Sequence, residues 1–163
     1  MWKFFDRAEE ILALLLLAGT VISVLAGAVG RSIGMPFPEG PEIAQLLLIW
    51  TCMLGADLTI KRGEHIRVSA LPDALTPRLR LVLIWLSLIC ILPFLGYVLY
   101  LGTQLALSNW ARELGASGLS YGLVTLALPV GAGLMILSLV RRIVSHGVLF
   151  SLEPEAHDQE YPL

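Results

Sequence analysis

Long apolar stretches separated by short charged segments dominate the pattern of this chain. Four stretches stand out, at residues 11–31, 42–60, 78–111 and 119–141. A bilayer core about 30 Å thick requires about 20 helical residues to cross it, and backbone facing lipid must satisfy its own hydrogen bonds. The pattern therefore predicts an all-α membrane protein with four transmembrane helices in one domain, residues 1–146.

The second and third spans have features of their own. The second reaches membrane length only if Glu42 and Asp57 lie at its two interfaces, so we expect Asp57 near water, beside Lys61 or Arg62. The third is longer than a bilayer needs, and Pro93 predicts a kink within it. Neither span therefore places an ionisable group deep in the membrane.

The positive residues predict the orientation, because lysine and arginine concentrate in cytoplasmic loops. With the N-terminus inside, only Arg31 and Arg112 fall outside. The remaining nine fall inside: Lys3, Arg7, Lys61, Arg62, Arg67, Arg78, Arg80, Arg141 and Arg142. Both termini are thus expected in the cytoplasm.

Three segments outside the membrane core complete this topology. The first span has a longer apolar run than the roughly 7–15 residues of a signal peptide, so we expect a retained anchor. Lys61–Leu75 has apolar and charged faces and predicts a short amphipathic segment in the cytoplasmic interface between helices 2 and 3. The acidic tail, residues 147–163, is expected to be disordered.

Composition narrows the function. Hydrophobic residues make up 56% of the chain and charged residues 15%, against about 25% charged in soluble domains. The net charge of −2 argues against a nucleic-acid partner, which requires a basic face. The histidines lack metal-ligand spacing, and no nucleophile–base constellation is apparent. We expect a non-catalytic membrane subunit without a cofactor.

Small residues in the first span predict helix packing. Gly19, Ser23 and Gly27 recur every four residues, and such stripes let helices approach closely in lipid. The stripe leaves open whether the neighbouring helix belongs to this chain or to a partner. Trp50 lies mid-span, deeper than an interfacial tryptophan.

Four local motifs together resemble one family. They are Val29-Gly30-Arg31; Pro41-Glu42-Ile43-Ala44; Trp50 with Leu54-Gly55-Ala56 and then Lys61-Arg62-Gly63-Glu64-His65-Ile66-Arg67-Val68; and Leu128-Pro129-Val130-Gly131. In order and spacing they resemble the small membrane (Q, or DctQ-type) subunit of tripartite ATP-independent periplasmic (TRAP) transporters. The chain departs from the family pattern at Gly40-Pro41 and at Ser69, which puts any polar contact at Ser69 in doubt.

The resemblance implies two protein partners besides the lipid bilayer. A large multi-span (M-type) subunit would carry the sodium and substrate sites, and a periplasmic (P-type) binding protein would deliver an organic acid, such as a C4-dicarboxylate or sialic acid. The small subunit would brace the large one. Its hypothetical contact residues are Gly19, Ser23, Gly27, Arg31, Glu42, Trp50, Gly55, Gly63, Glu64, His65, Arg67, Pro129 and Gly131.

Two of these groups carry specific hypotheses. Glu64 and Arg67, three residues apart, would fix the cytoplasmic turn, although an ordinary positive loop explains them too. Arg31 and Glu42 would pair at the periplasmic surface or contact the binding protein, or remain solvated. The alternative to a TRAP subunit is an accessory or assembly subunit of another inner-membrane complex.

Overall fold

The computed structural model describes most of the chain, with three internal gaps and without the C-terminal tail. The described residues are 2–35, 37–62, 77–115 and 117–146. Within them the fold is all-helical, as predicted, and the one isolated β-bridge joins Glu113 to Ser120. The amphipathic segment expected between helices 2 and 3 lies outside the described residues from Gly63 onward, as does the acidic tail.

Four helices account for nearly all of the described chain. They are α1 (Trp2–Ser32), α2 (Gly40–Arg62), α3 (Pro77–Ser108) and α4 (Tyr121–His146). Each is long and apolar enough to cross a membrane.

The ends of two helices differ from the predicted spans. α1 begins at Trp2 and so contains two full turns that carry charge ahead of the apolar run. α3 ends at Ser108 and not at residue 111, because the Asn109 side chain donates to the Leu105 carbonyl and the chain turns there. Pro93 lies inside α3, whose helix continues on both sides.

The helices are arranged in one row. The pairs in substantial contact are α1 with α2, α2 with α4, and α4 with α3. The molecule thus consists of two helical hairpins, α1–α2 and α3–α4, joined along a seam between α2 and α4. Short connections make consecutive helices antiparallel neighbours, whereas the order of the hairpins follows from the contacts across the seam.

The row has two ends, which we name by what they contain. The termini end holds the start of α1, the end of α2 and the end of α4. The hairpin end holds the α1–α2 and α3–α4 connections. At the hairpin end Gly40 is buried, and a Cβ there would lie 3.1 Å from the carbonyl oxygen of Ser23. Its missing side chain lets α2 begin directly against α1.

Candidate functional site

The small-residue stripe of α1 packs inside this chain. A Cβ built on Gly19 would lie 3.0 Å from Cδ1 of Leu47, and one on Gly27 would lie 3.8 Å from Cδ of Pro41. Ser23 contributes the carbonyl that Gly40 approaches. The neighbour left open by the sequence is therefore α2, and the stripe is part of the α1–α2 hairpin.

Trp50 and Gly131 connect α2 to α4 along the seam. The indole Nε1 of Trp50 donates a hydrogen bond to the carbonyl oxygen of Leu123, 3.1 Å away in α4. Further along α4, Gly131 is buried, and a Cβ there would lie 2.8 Å from Cβ of Met53. The backbone of α4 thus lies close against α2, and the Trp50 indole finds its hydrogen-bond acceptor across this contact.

Pro129 performs a similar role between α3 and α4. It is buried, and a Cβ on Gly102 would lie 3.0 Å from its Cδ. Gly102 was not singled out from the sequence, because an isolated glycine in an apolar helix gives no signal of which neighbour it meets. The second hairpin is therefore closed by a proline packed against a glycine.

Glu42 joins the two hairpins at the hairpin end. It lies in the first turn of α2, and its Oε2 accepts a hydrogen bond from the Ser117 backbone N–H at 2.9 Å. Gly115, in the same α3–α4 connection, has φ +55°, and a Cβ there would lie 2.6 Å from Cδ of Glu42. The connection requires glycine at this position both for its backbone conformation and for the space that the carboxylate occupies.

The sequence left pairing as one of three alternatives for Arg31 and Glu42. Arg31 is exposed, and within the described ranges no salt bridge joins it to Glu42. The row arrangement turns the start of α2 towards the α3–α4 connection, where the backbone N–H of Ser117 donates to the Glu42 carboxylate.

A cluster of charged side chains closes the termini end. Lys61 Nζ lies 2.8 Å from Asp57 Oδ2 and 3.6 Å from Asp6 Oδ1, and it contacts Glu9 Oε2. The Phe5 ring lies 5.8 Å from the same ammonium. Asp57 is fully buried and Glu9 is 6% exposed. One ammonium thus joins carboxylates of α1 and α2 away from solvent.

Two arginines of α4 extend this cluster across the seam. Arg141 Nη1 lies 3.2 Å from Asp6 Oδ1. Arg142 Nη1 donates to the carbonyl oxygens of Ile60 at 2.7 Å and Lys61 at 3.1 Å. The last carbonyls of a helix have no intrahelical donor, so Arg142 caps α2 from the other hairpin. We call these six residues (Asp6, Glu9, Asp57, Lys61, Arg141 and Arg142) the termini cluster.

The termini cluster corrects the expectation for Asp57. Its partner is Lys61, as expected, but it is enclosed by protein rather than placed near water. Asp57 Oδ1 and Glu9 Oε1 have no hydrogen-bond partner among the described residues. Sequence reasoning missed Glu9, although Asp6 and Glu9 share a helix face at the same predicted membrane side as Lys61.

The remaining predicted contact residues fall into two groups. Gly55 has no atom within 4 Å of a built Cβ, and it lines an open groove of about 270 Å³ between α1 and α2. Gly63, Glu64, His65 and Arg67 lie outside the described residues. In the part of the chain that the structure describes, no group of three or more His, Cys, Asp or Glu side chains is arranged to hold a metal ion.

Comparison with known proteins places this architecture in a family. Residues 20–146 match the DctQ component of tripartite ATP-independent periplasmic transporters. The sialic acid TRAP transporter small permease protein SiaQ of Vibrio cholerae is 30% identical over 143 residues, covering 86% of this chain and 82% of the relative.

Two Haemophilus influenzae proteins, provisionally named TRAP transporter small permease proteins, are also similar. One is 31% identical over 87% of this chain and 89% of its own length. The other is 26% identical over 80% of this chain and 79% of its own length. With four membrane-spanning helices and these relatives, the chain is a multi-pass inner-membrane protein, and it belongs to the DctQ family of small TRAP transporter subunits.

Proposed function

We propose that this chain is the non-catalytic small subunit that braces the large, substrate-translocating subunit of a TRAP-type secondary transporter. The match of residues 20–146 to the DctQ component carries the proposal, since it spans α2, α3, α4 and more than a third of α1. A brace must resist deformation. Three sets of contacts across the seam provide this resistance: those of Glu42, those of Trp50 and Gly131, and those of the termini cluster.

Three layers of contact favour a rigid body over two independent hairpins. Between helices in lipid, apolar burial gives little drive, so close packing and interhelical hydrogen bonds hold the association. Here Gly131 provides the close packing, Trp50 a hydrogen bond, and Arg142 and Asp6 charged contacts. A subunit built in this way can transmit force from the bilayer to a partner without changing shape.

The orientation proposed from the positive residues places the termini cluster at the cytoplasmic side. Nine of the eleven lysines and arginines then lie inside, as the positive-inside rule requires. The hairpin end, with Glu42 and the α3–α4 connection, faces the periplasm, where a binding protein would dock. A single-cysteine accessibility assay at residues 35 and 113, with labelling from the periplasm, tests this orientation.

The substrate class proposed is an organic acid. The Vibrio cholerae relative is named for sialic acid, a carboxylate, and we extend to this chain the carboxylate class alone. The specificity would reside in the other two components.

Uptake measurements test the proposal. Cells lacking endogenous uptake receive a large TRAP subunit and a periplasmic binding protein from the same organism, with or without this chain, and are offered labelled sialic acid and C4-dicarboxylates. We expect uptake of one carboxylate only when all three proteins are present. Full uptake without this chain would contradict the bracing function.

A further inference from the structure

The outer face of α3 carries two tyrosines and a glutamine. Tyr97 and Tyr100 are 63% and 61% exposed, and Gln104 is exposed one turn further on. None of the three has a hydrogen bond within the described residues. The buried positions of α3, among them Leu88 and Leu95, face α4, and Tyr97 lies half a turn away from both.

The tyrosines lie well inside the span. The apolar span of α3 covers Leu81–Ser108, and at 1.5 Å per residue Tyr97 lies about 16 Å and Tyr100 about 12 Å from its nearer end, Ser108. Helical side chains tilt towards the helix N-terminus, which here points both hydroxyls away from that end and deeper into the membrane. The two hydroxyls therefore lie further from Ser108 than their own backbone does.

The neighbouring backbone adds two features that suit a helix rather than lipid. Pro93 has no N–H, so the Ile89 carbonyl loses its usual helical donor. Gly96 has no atom within 4 Å of a built Cβ, which leaves a notch for close helix approach. One face of α3 thus presents hydroxyl and amide donors, the Ile89 carbonyl as an acceptor, and the notch at Gly96.

The opposite edge of the row provides the contrast. The exposed side chains in the middle of α1 are aliphatic, including Leu15 at 64% and Ile22 at 65%. The hydroxyl of Thr20 is buried and donates to the Leu16 carbonyl 2.9 Å away. The α1 edge is therefore suited to lipid, whereas the α3 edge presents hydroxyls within the span, where lipid offers no hydrogen-bond partner.

We propose that the α3 face formed by Tyr97, Tyr100 and Gln104 binds a transmembrane helix of the large subunit through interhelical hydrogen bonds. This inference rests on the proposed function, because the large subunit is the membrane-embedded partner that a small TRAP subunit requires. The hydroxyls donate to polar side chains or freed carbonyls of that helix, and Gly96 lets it approach.

Photocrosslinking in cells that express the whole transporter tests the location. The photoreactive residue p-benzoylphenylalanine replaces Tyr97 or Tyr100 in one set, and Leu15 or Ile22 in the other. We expect crosslinks to the large subunit from the α3 positions and none from the α1 positions. Crosslinks from α1 only, crosslinks from α3 to a second copy of this chain, or no crosslink from an intact complex would each overturn the α3 contact.

Hydroxyl removal tests the chemistry. Tyr97→Phe and Tyr100→Phe keep the rings, and each is expected to weaken assembly with the large subunit about threefold, the usual effect of one interhelical hydrogen bond. Thr103→Val is the matched control, because the exposed Thr103 hydroxyl already donates to the Leu99 carbonyl at 2.6 Å. Equal assembly for the double Phe variant and the wild type would overturn the proposal.

The two proposals fail in different ways. If the wild-type chain forms no complex with the large subunit, the proposed function is wrong. If the complex forms but the α3 positions neither crosslink nor respond to hydroxyl removal, only the α3 contact is wrong. Thermal unfolding of the isolated Phe variants should match the wild type, since the hydroxyls form no hydrogen bond in the described chain.

Discussion

Trp50 and Leu123, 73 residues apart in sequence, are joined by a hydrogen bond from the indole Nε1 to the carbonyl oxygen at 3.1 Å. The bond crosses the seam between the two hairpins, from the middle of α2 to the first turn of α4. A tryptophan at this depth needs an internal acceptor, because lipid provides none. Its placement explains why an amphipathic residue is tolerated away from the interface.

Replacing Trp50 with Phe should weaken the seam. The variant loses one interhelical hydrogen bond, worth about 0.6–1.7 kcal/mol in membranes, and part of the ring volume. We expect the midpoint of thermal unfolding in detergent to fall by a few degrees. Trp85→Phe is the control, since Trp85 is 47% exposed on α3. Equal midpoints for both variants would show that the indole bond contributes nothing.

Gly131→Ala should separate α2 from α4. The added Cβ would lie 2.8 Å from Cβ of Met53, close to the helix backbone and unable to swing away, and overpacking costs about 1–3 kcal/mol. Gly55→Ala meets no atom within 4 Å and should gain up to about 1 kcal/mol from helix propensity. Opposite shifts of the unfolding midpoint are expected, and a loss at Gly55 equal to that at Gly131 would argue against the seam.

Glu42→Ala should free the α3–α4 connection. Loss of the bond to Ser117 N–H, worth about 1 kcal/mol, should speed hydrogen exchange at that amide roughly fivefold. Glu42→Gln should exchange more slowly than Glu42→Ala, because its amide oxygen still accepts the bond. The measurement is hydrogen–deuterium exchange of a peptide covering residues 109–120.

Glycine substitutions in the same connection provide a paired test. Gly115→Ala should disturb the Glu42 contact, because the new Cβ would overlap the carboxylate. Gly118→Ala has a similar φ, +68°, but meets no atom within 4 Å, so it should cost only the about 1–2 kcal/mol of a left-handed backbone. Faster exchange at Ser117 in Gly118→Ala than in Gly115→Ala would contradict this geometry.

Lys61→Met should strongly destabilise the termini end. It leaves the buried carboxylates of Glu9 and Asp57 without their shared cation, and breaking a buried ion pair costs about 3–5 kcal/mol. The triple variant Glu9→Gln, Asp57→Asn, Lys61→Met should recover much of this loss. Arg31→Gln, an exposed charge at the other end, is the control. Denaturation in mixed micelles measures the stability of all three variants. A Lys61→Met protein as stable as Arg31→Gln would disprove the cluster's role.

The sequence predicted the helices well because hydrocarbon imposes a length and a charge limit that can be read directly. The packing of Gly19, Ser23 and Gly27 against a helix followed from small-residue spacing, but not which helix. The order of the row was not predictable, because helices that are apolar on most sides carry no sign of their neighbours.

The polar contacts were the least predictable part. Asp57 lies near a span end, where a carboxylate in water and one enclosed by α1 and α4 have the same sequence pattern. Arg31 and Glu42 lie across one short turn, which suggested a pair, but the carboxylate binds Ser117, whose position depends on the seam. Tertiary packing determines both the burial of Asp57 and the partner of Glu42, and this packing cannot be read from the local sequence.

Co-purification tests the central claim most directly: that this chain is the fixed small subunit of a TRAP transporter. The chain is tagged at its N-terminus and expressed with a large TRAP subunit from the same organism, and the membranes are solubilised in mild detergent. We expect the large subunit to remain bound through affinity and size-exclusion steps. Recovery of the tagged chain alone, folded and monomeric, from membranes that contain the large subunit would contradict the account.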